Sequence, residues 1–125
     1  MSPDPALVDV AVGLFDVARR GDVDALEAAF EAGVPIELVD AGGNSYLMLA
    51  AYHGHRDAVS AMVARGADVD RLNQMGQSPL AGAVFKGHDA VVRVLVDAGA
   101  NADLGRPSAR EMDASVGGDG SRLKR

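Results

Sequence analysis

Two sets of glycines divide the chain into units of equal length. The sets are Gly21, Gly54 and Gly87 and, further along each unit, Gly33, Gly66 and Gly99. Within each set the spacing is 33 residues. A fixed period in the range of about 20 to 50 residues is typical of proteins whose units bury their apolar faces only by stacking on their neighbours. We therefore expect a repeat protein whose function lies on its surface.

Each unit is predicted to contain two helices. After the first set of glycines, apolar residues recur at positions i, i+3 and i+4, which is the pattern of an amphipathic helix. These residues are Leu26, Ala29 and Phe30, then Val59, Met62 and Val63, then Val92, Leu95 and Val96. The second set of glycines can end these helices. Ser45 and Ser78 can cap an earlier helix in their units, and Pro79 suits its first position. The expected fold class is all-α.

The third unit resembles the ankyrin repeat, whose motif contains a threonine-proline-leucine-histidine stretch and a glycine-histidine pair. The matching residues are 76–80 (GQSPL), Ala83, Gly87 with His88, and 95–101 (LVDAGAN). Unit two is similar but has Tyr46 in place of the proline. Unit one matches mainly in its second helix, as a capping repeat would. The resemblance covers about residues 9 to 114 and implies a solenoid of stacked helix-turn-helix units, with three repeats and a degenerate C-terminal capping helix.

The resemblance also sets the expected domain bounds. The ankyrin-repeat domain is placed at 1–114, with repeats at about 9–39, 40–72 and 73–104 and a C-terminal cap at 105–114. Residues 115–125 are predicted to be a flexible basic tail, because they are rich in glycine and end in Arg-Leu-Lys-Arg. The family's first-helix histidine is replaced by Phe15, Met48 and Ala81. We therefore expect the hydrogen bonds that it supports between loops to be absent.

Charge and composition narrow the class of function. Residues 1–104 carry seven Lys and Arg against fifteen Asp and Glu, net −8, whereas residues 105–125 carry five against three, net +2. The acidic repeats disfavour nucleic-acid binding. The chain has no cysteine and no apolar run near the roughly 18 residues that cross a bilayer. We expect a cytoplasmic protein without membrane contact, and the usage of Ala, Val, Arg and Asp favours a bacterial source.

Partner binding, in the family that the chain resembles, usually involves the loops between units and the exposed side of the first helices. The equivalent positions are Arg19, Arg20, Ala41, Gly42, Asn44, Tyr52, His53, Leu72, Gln74, Met75, Gln77, Phe85 and Lys86. Tyr52 and Phe85 stand one repeat apart and are predicted to form neighbouring steps of an exposed aromatic ladder, because interface hot spots are enriched in such rings. The alternative is that both rings fold back over the next repeat.

A second hypothesis about this surface concerns its two arginines. Arg19 and Arg20, with Lys86, could bind a carboxylate or an acidic segment of a partner. The alternative is that the arginines pair with nearby carboxylates, namely those of Asp16, Asp22 and Asp24, which contributes little at a surface.

The predicted function is a non-catalytic protein–protein interaction module that acts as an adaptor or regulator, needs no cofactor and is monomeric alone. Ser45 and Ser78 are needed as caps, so no serine nucleophile is evident. A metal site at His53 is disfavoured, because His55 and His88 share a repeat position that is structural in the family. Two alternatives stay open. One is a self-associating structural protein, and the other is a tether to nucleic acid or an acidic partner through the basic tail.

Overall fold

Seven α-helices in two layers account for most of residues 4–125, the part of the chain that the computed structural model describes. They are α1 (Pro5–Arg20), α2 (Val23–Glu31), α3 (Tyr46–Tyr52), α4 (Arg56–Ala64), α5 (Pro79–Lys86), α6 (Asp89–Asp97) and α7 (Ala109–Ser115). A 3₁₀ turn follows at Ser121–Leu123. Helices α1, α3, α5 and α7 pack side by side in one layer, and α2, α4 and α6 form the other. The predicted all-α solenoid is confirmed.

Serine hydroxyls fix where three of the first-layer helices begin. Ser45, Ser78 and Ser108 each accept a hydrogen bond from the backbone amide three residues further on, at 3.0 to 3.2 Å. Pro79 occupies the first turn of α5, where its missing amide hydrogen costs nothing. Caps of this kind contribute about 1 kcal/mol each. The capping roles predicted for Ser45 and Ser78 are therefore confirmed.

Two histidines, His55 at the start of α4 and His88 at the start of α6, join these helices to the preceding repeat. Nε2 of His55 donates to the carbonyl oxygen of Arg19 at 2.6 Å, and Nε2 of His88 donates to that of Tyr52 at 3.0 Å. Gly54 makes room for the second of these rings, because a Cβ at this position would lie 2.7 Å from the ring of His88. Its φ of 80° also favours glycine. The repeated glycine-histidine pattern is thus explained by contact between neighbouring repeats.

The largest fully buried side chain belongs to Tyr46, the residue that replaces the motif proline. Its ring stacks on Phe15 at 4.5 Å between centroids and meets the edge of Phe30 at 5.9 Å. Its hydroxyl donates to the carbonyl oxygen of Ala11 at 2.7 Å. Burial raises the pKa of Tyr46 to about 12. One aromatic cluster therefore holds α1 and α2 against α3.

The C-terminal residues differ from the predicted flexible tail. We call residues 116–125 the C-terminal hook, because they fold back onto α6 and α7. Leu123 is buried in the apolar core. The guanidinium of Arg122 forms ion pairs with Asp113, whose side chain is only 1% exposed, and with Asp89 at 2.9 Å. A buried carboxylate needs such partners, so the position of Asp113 explains why the hook is packed.

Backbone groups hold the rest of the hook. The amide of Gly120 donates to the carboxylate of Asp113 at 2.8 Å. Arg93 of α6 donates to the carbonyl oxygen of Lys124 at 2.9 Å, and Arg125 donates to that of Asp97 at 3.4 Å. Much of the predicted tail charge is therefore used within the molecule.

Candidate functional site

A groove runs along the first-layer helices, below the loops at residues 40–44 and 73–77. It has a volume of about 670 Å³. Its lining residues are Arg19, Gly42, Asn44, Met48, Leu49, Tyr52, His53, Asn73, Gln74, Met75 and Gln77. All but Met48, Leu49 and Asn73 belong to the predicted binding set. The structure therefore brings most of those residues to one concave surface, which we call the groove.

The two loops that border the groove are tied to each other. The side-chain amide of Asn73 donates to Asn44 and to Gln77, both at 2.9 Å. The backbone amide of Gln74 donates to the carbonyl oxygen of Gly42 at 3.0 Å. Side-chain and backbone amides therefore join the loops, in place of the hydrogen bonds that the family's first-helix histidine supports. The loops thus offer an ordered edge to the groove.

Tyr52 and Phe85 differ in their surroundings, although they stand at the same repeat position. The Tyr52 ring is half-buried, with the ammonium of Lys86 5.2 Å from its centroid and the ring of His53 at 5.5 Å. Phe85 is 56% exposed, and Met75 in the loop above is 78% exposed. Rings and flexible thioethers of this kind are common contact residues in interfaces. The surface around this end of the groove therefore carries both an apolar and a cationic element.

The surroundings of His53 change the pKa of its imidazole. Partial burial lowers the pKa of this imidazole from its ordinary value, and the nearby positive groups of His55, Arg19 and Lys86 lower it further. Within residues 4–125 no carboxylate lies at ion-pair distance from Lys86. This end of the groove therefore has a local positive potential on an acidic protein.

The two arginines of the predicted set have different environments. Arg19 lines the groove but also pairs with Asp16 at 2.6 Å and with Asp40 at 3.4 Å. Pairing with Asp16 was the alternative prediction, whereas Asp40 comes from the next repeat. Such exposed pairs contribute about 0 to 1 kcal/mol. Arg20 is exposed at the end of α1 and is not among the residues that line the groove.

Leu72 lies beside the groove and not in it. Its side chain is 39% exposed. With Gln74 and Met75 it borders a shallow depression on the far side of the second loop, next to Arg106. The predicted binding set is therefore divided, since Arg20, Phe85 and Lys86 line neither the groove nor this depression.

A smaller pocket opens at the C-terminal end of the groove. Its volume is about 190 Å³. Its lining residues are Tyr52, Gln77, Ala81, Gly82, Phe85, Pro107 and Met112. We call it the Phe85 pocket. Four of these residues, Ala81, Gly82, Pro107 and Met112, are not in the predicted binding set, although a glycine in the middle of a helix is a usable signal for Gly82.

The polar side chains of the described region indicate binding more than chemistry. The serine hydroxyls cap helices, and His55 and His88 bond to backbone carbonyls. Among residues 4–125 no three metal-binding side chains gather into a cluster. In the same part of the chain, every helix is too short or too polar to cross a bilayer.

Comparison with known proteins identifies the family to which this chain belongs. A model of ankyrin repeats in three copies matches residues 14–106. A Pseudomonas aeruginosa ankyrin repeat protein is 50% identical over 42 residues, which are 34% of this chain and 25% of that protein. The crystal structure of the human ASB11 ankyrin repeat domain superimposes with a TM-score of 0.68 at 34% identity. That match covers 71% of this chain and 40% of the human one.

The chain spans less than half the length of each of these two relatives. The three-copy match nevertheless covers most of the chain, and it agrees with the helix pairs and glycine-histidine contacts described above. Ankyrin repeats are generally non-catalytic scaffolds for protein–protein interaction. This protein belongs to the ankyrin repeat family.

Proposed function

We propose that this protein is an adaptor or regulator that binds another protein through the groove. One observation carries the proposal: two large exposed apolar side chains, Met75 in the groove and Phe85 in the smaller pocket at its end, stand at a concave surface with an ordered edge. Interface hot spots are enriched in aromatic residues at the centre of such surfaces. The unpaired Lys86 and the cationic surroundings of His53 favour a partner with negative charge at this end.

Two other functions were open from the sequence. The tether through a mobile basic tail loses its basis, because Arg122 is paired and Leu123 is buried. Self-association stays an alternative that light scattering tests directly. We propose a monomer, so a single species of monomer mass at high protein concentration is the expected result.

The proposal is tested by affinity capture from the source organism's lysate, followed by a direct affinity measurement with the purified partner. The baits are the wild type and the Tyr52→Ala/Phe85→Ala double variant. We expect a protein that binds the wild type and loses at least about 2 kcal/mol of binding free energy with the variant. A Val116→Ala bait is the matched control, since Val116 is 54% exposed but lies in the C-terminal hook. A partner that binds all three baits equally would show that the groove is not its site.

A further inference from the structure

The most specific recognition element in the groove is the Phe85 pocket. Tyr52 and Phe85 form two of its walls, and Met112 of the capping helix α7 forms a third. Gln77 supplies a polar group beside these apolar walls. A pocket with apolar walls and a polar edge is suited to one apolar side chain of a bound chain.

Gly82 creates the space for this pocket. It lies buried in the interior of α5, where glycine is destabilising relative to alanine. The residue one repeat earlier is Leu49. A Cβ on Gly82 would lie 3.3 Å from Cδ2 of Tyr52 and 3.5 Å from Cε of Met48. A side chain as large as that of Leu49 would therefore displace the Tyr52 ring or occupy the pocket.

The size of the pocket limits its occupant. Its volume is about 190 Å³, whereas an apolar cavity of about 150 Å³ is known to hold benzene. The space is thus sufficient for one phenyl ring or one branched aliphatic side chain. It is too small for two such groups.

The charge around the pocket favours a particular charge on the partner residues that flank the inserted side chain. Lys86 follows Phe85 in the chain, and its ammonium lies over the Tyr52 ring. His53 lies against the same ring. A positive group such as Lys86 at the edge of an apolar pocket favours carboxylates beside the inserted residue.

We propose that the Phe85 pocket receives one Leu, Met, Ile or Phe side chain of an extended partner segment whose adjacent residues are acidic. This rests on the proposed function, because it names the chemistry of the partner that the groove binds. It assigns Gly82 the role of keeping the pocket open and Met112 the role of closing its far side. The capping helix α7 is therefore part of the binding site.

The test uses a displayed library of random peptides of about 12 residues, which can span the groove in extended form. Peptides are selected on the wild-type protein, and their affinities are measured by fluorescence anisotropy for the wild type and for Gly82→Leu. We expect selected peptides to share a large apolar residue next to Asp or Glu. We expect Gly82→Leu, or alanine at the shared apolar residue, to weaken binding by at least about tenfold.

Two further variants keep the result interpretable. Gly82→Ala adds only a methyl group and should weaken binding by less than Gly82→Leu, while circular dichroism confirms that both proteins fold. Met112→Ala enlarges the pocket without blocking it, and we expect it to weaken binding by about fivefold, since part of the wall is lost. Met75 lies outside the pocket, so the affinity of Met75→Ala for the peptides shows whether the rest of the groove contributes to binding.

The inference is overturned if the selected peptides bind Gly82→Leu within about twofold of the wild type. If they nevertheless lose affinity for Met75→Ala, the groove binds peptides and only the assignment of the pocket is wrong. If neither change matters, the proposed function of the groove is wrong as well. A selection that enriches no peptide with an apolar residue beside an acidic one also contradicts the inference.

Discussion

The groove and the C-terminal hook both place cations beside apolar residues at the surface. The two regions differ in whether these residues find partners within the protein. In the hook, Arg122 pairs with Asp113 and Asp89, and Leu123 is buried in the core. At the end of the groove, Lys86 faces the ring of Tyr52, and Phe85 in the adjoining pocket remains more than half exposed. The hook is therefore completed by the chain itself, whereas the groove offers groups that a partner can use.

This contrast separates structural from binding residues more reliably than charge alone. The hook has the more basic composition and drew a tethering hypothesis from the sequence. Its acceptors, Asp113, Asp89 and the carbonyl of Asp97, lie on helices of the same domain. Removing hook residues should therefore lower stability, and removing groove residues should lower binding with little effect on stability.

The largest effect on stability is expected for Asp113→Ala. The substitution leaves Arg122 without its buried partner and the amide of Gly120 without an acceptor. We expect a loss of about 3 kcal/mol in the free energy of unfolding, measured by urea denaturation. Asp9→Ala, at an exposed position of α1, is the control and should change it by less than about 0.5 kcal/mol. Equal midpoints for the two variants would mean that the hook does not hold the C-terminal end.

A smaller loss is expected for Leu123→Ala. Its side chain is buried at the end of the stack, so the cost should fall at the low end of the range for buried leucines, about 2 kcal/mol. Val116→Ala in the same segment removes an exposed side chain and should cost much less. Thermal unfolding of both variants checks this. An unchanged melting temperature for Leu123→Ala would indicate that Leu123 is not packed and that the hook is a flexible tail.

Within the groove, Asn73→Ala tests whether the loops are held together. It removes the side-chain bonds to Asn44 and Gln77 and should cost about 1 kcal/mol. Hydrogen exchange should show faster exchange of the Gln77 backbone amide, which donates to Asn73. Gln74→Ala is the control, because Gln74 joins the loops through its backbone. If exchange at Gln77 is the same in both variants, the side chain of Asn73 does not order the loop.

Phe85→Ala is expected to change the free energy of unfolding by about 0.5 kcal/mol or less, because its side chain is mostly exposed. Urea denaturation beside Leu123→Ala compares the two regions directly. A loss as large as that of the leucine variant would show that Phe85 is a core residue, which would remove the distinction between groove and hook.

The smallest effect concerns His53. Its pKa in the folded protein is lowered, so the unfolded chain takes up a proton first as the pH falls. The contribution of His53 to stability is complete above the ordinary histidine value of about 6.5 and is lost as the pH drops from there towards the folded value. We expect His53→Gln to reduce the loss of stability between about pH 7 and pH 5. An NMR titration that places the His53 pKa above its ordinary value would contradict this.

The sequence was informative where one residue type has one physical use. Ser45 and Ser78 precede helices that they cap, and His55 and His88, which share a repeat position, each bond to the preceding repeat. The same reasoning failed for the hook. Gly117, Gly118 and Gly120 are typical of a linker, and nothing in the sequence shows that Asp113 is buried and needs donors.

Tyr46 and Met112 show the same limit. Tyr46 stands where the motif has proline, and only the packing of α1 and α2 makes it the centre of an aromatic cluster. Met112 contributes to the Phe85 pocket because the capping helix packs against α5. The surroundings of both residues depend on contacts between residues that are far apart in the sequence. A repeat pattern predicts which repeat positions face each other, but it does not predict which side-chain atoms touch.

Photo-crosslinking in the source organism tests the central account most directly. A photoreactive phenylalanine derivative is placed at Phe85 in one strain and at Val116 in another, two positions with nearly equal exposure of 56% and 54%. The account predicts a crosslinked partner protein from position 85 and none from position 116. A partner crosslinked from position 116 and not from position 85 would contradict it and would assign binding to the hook.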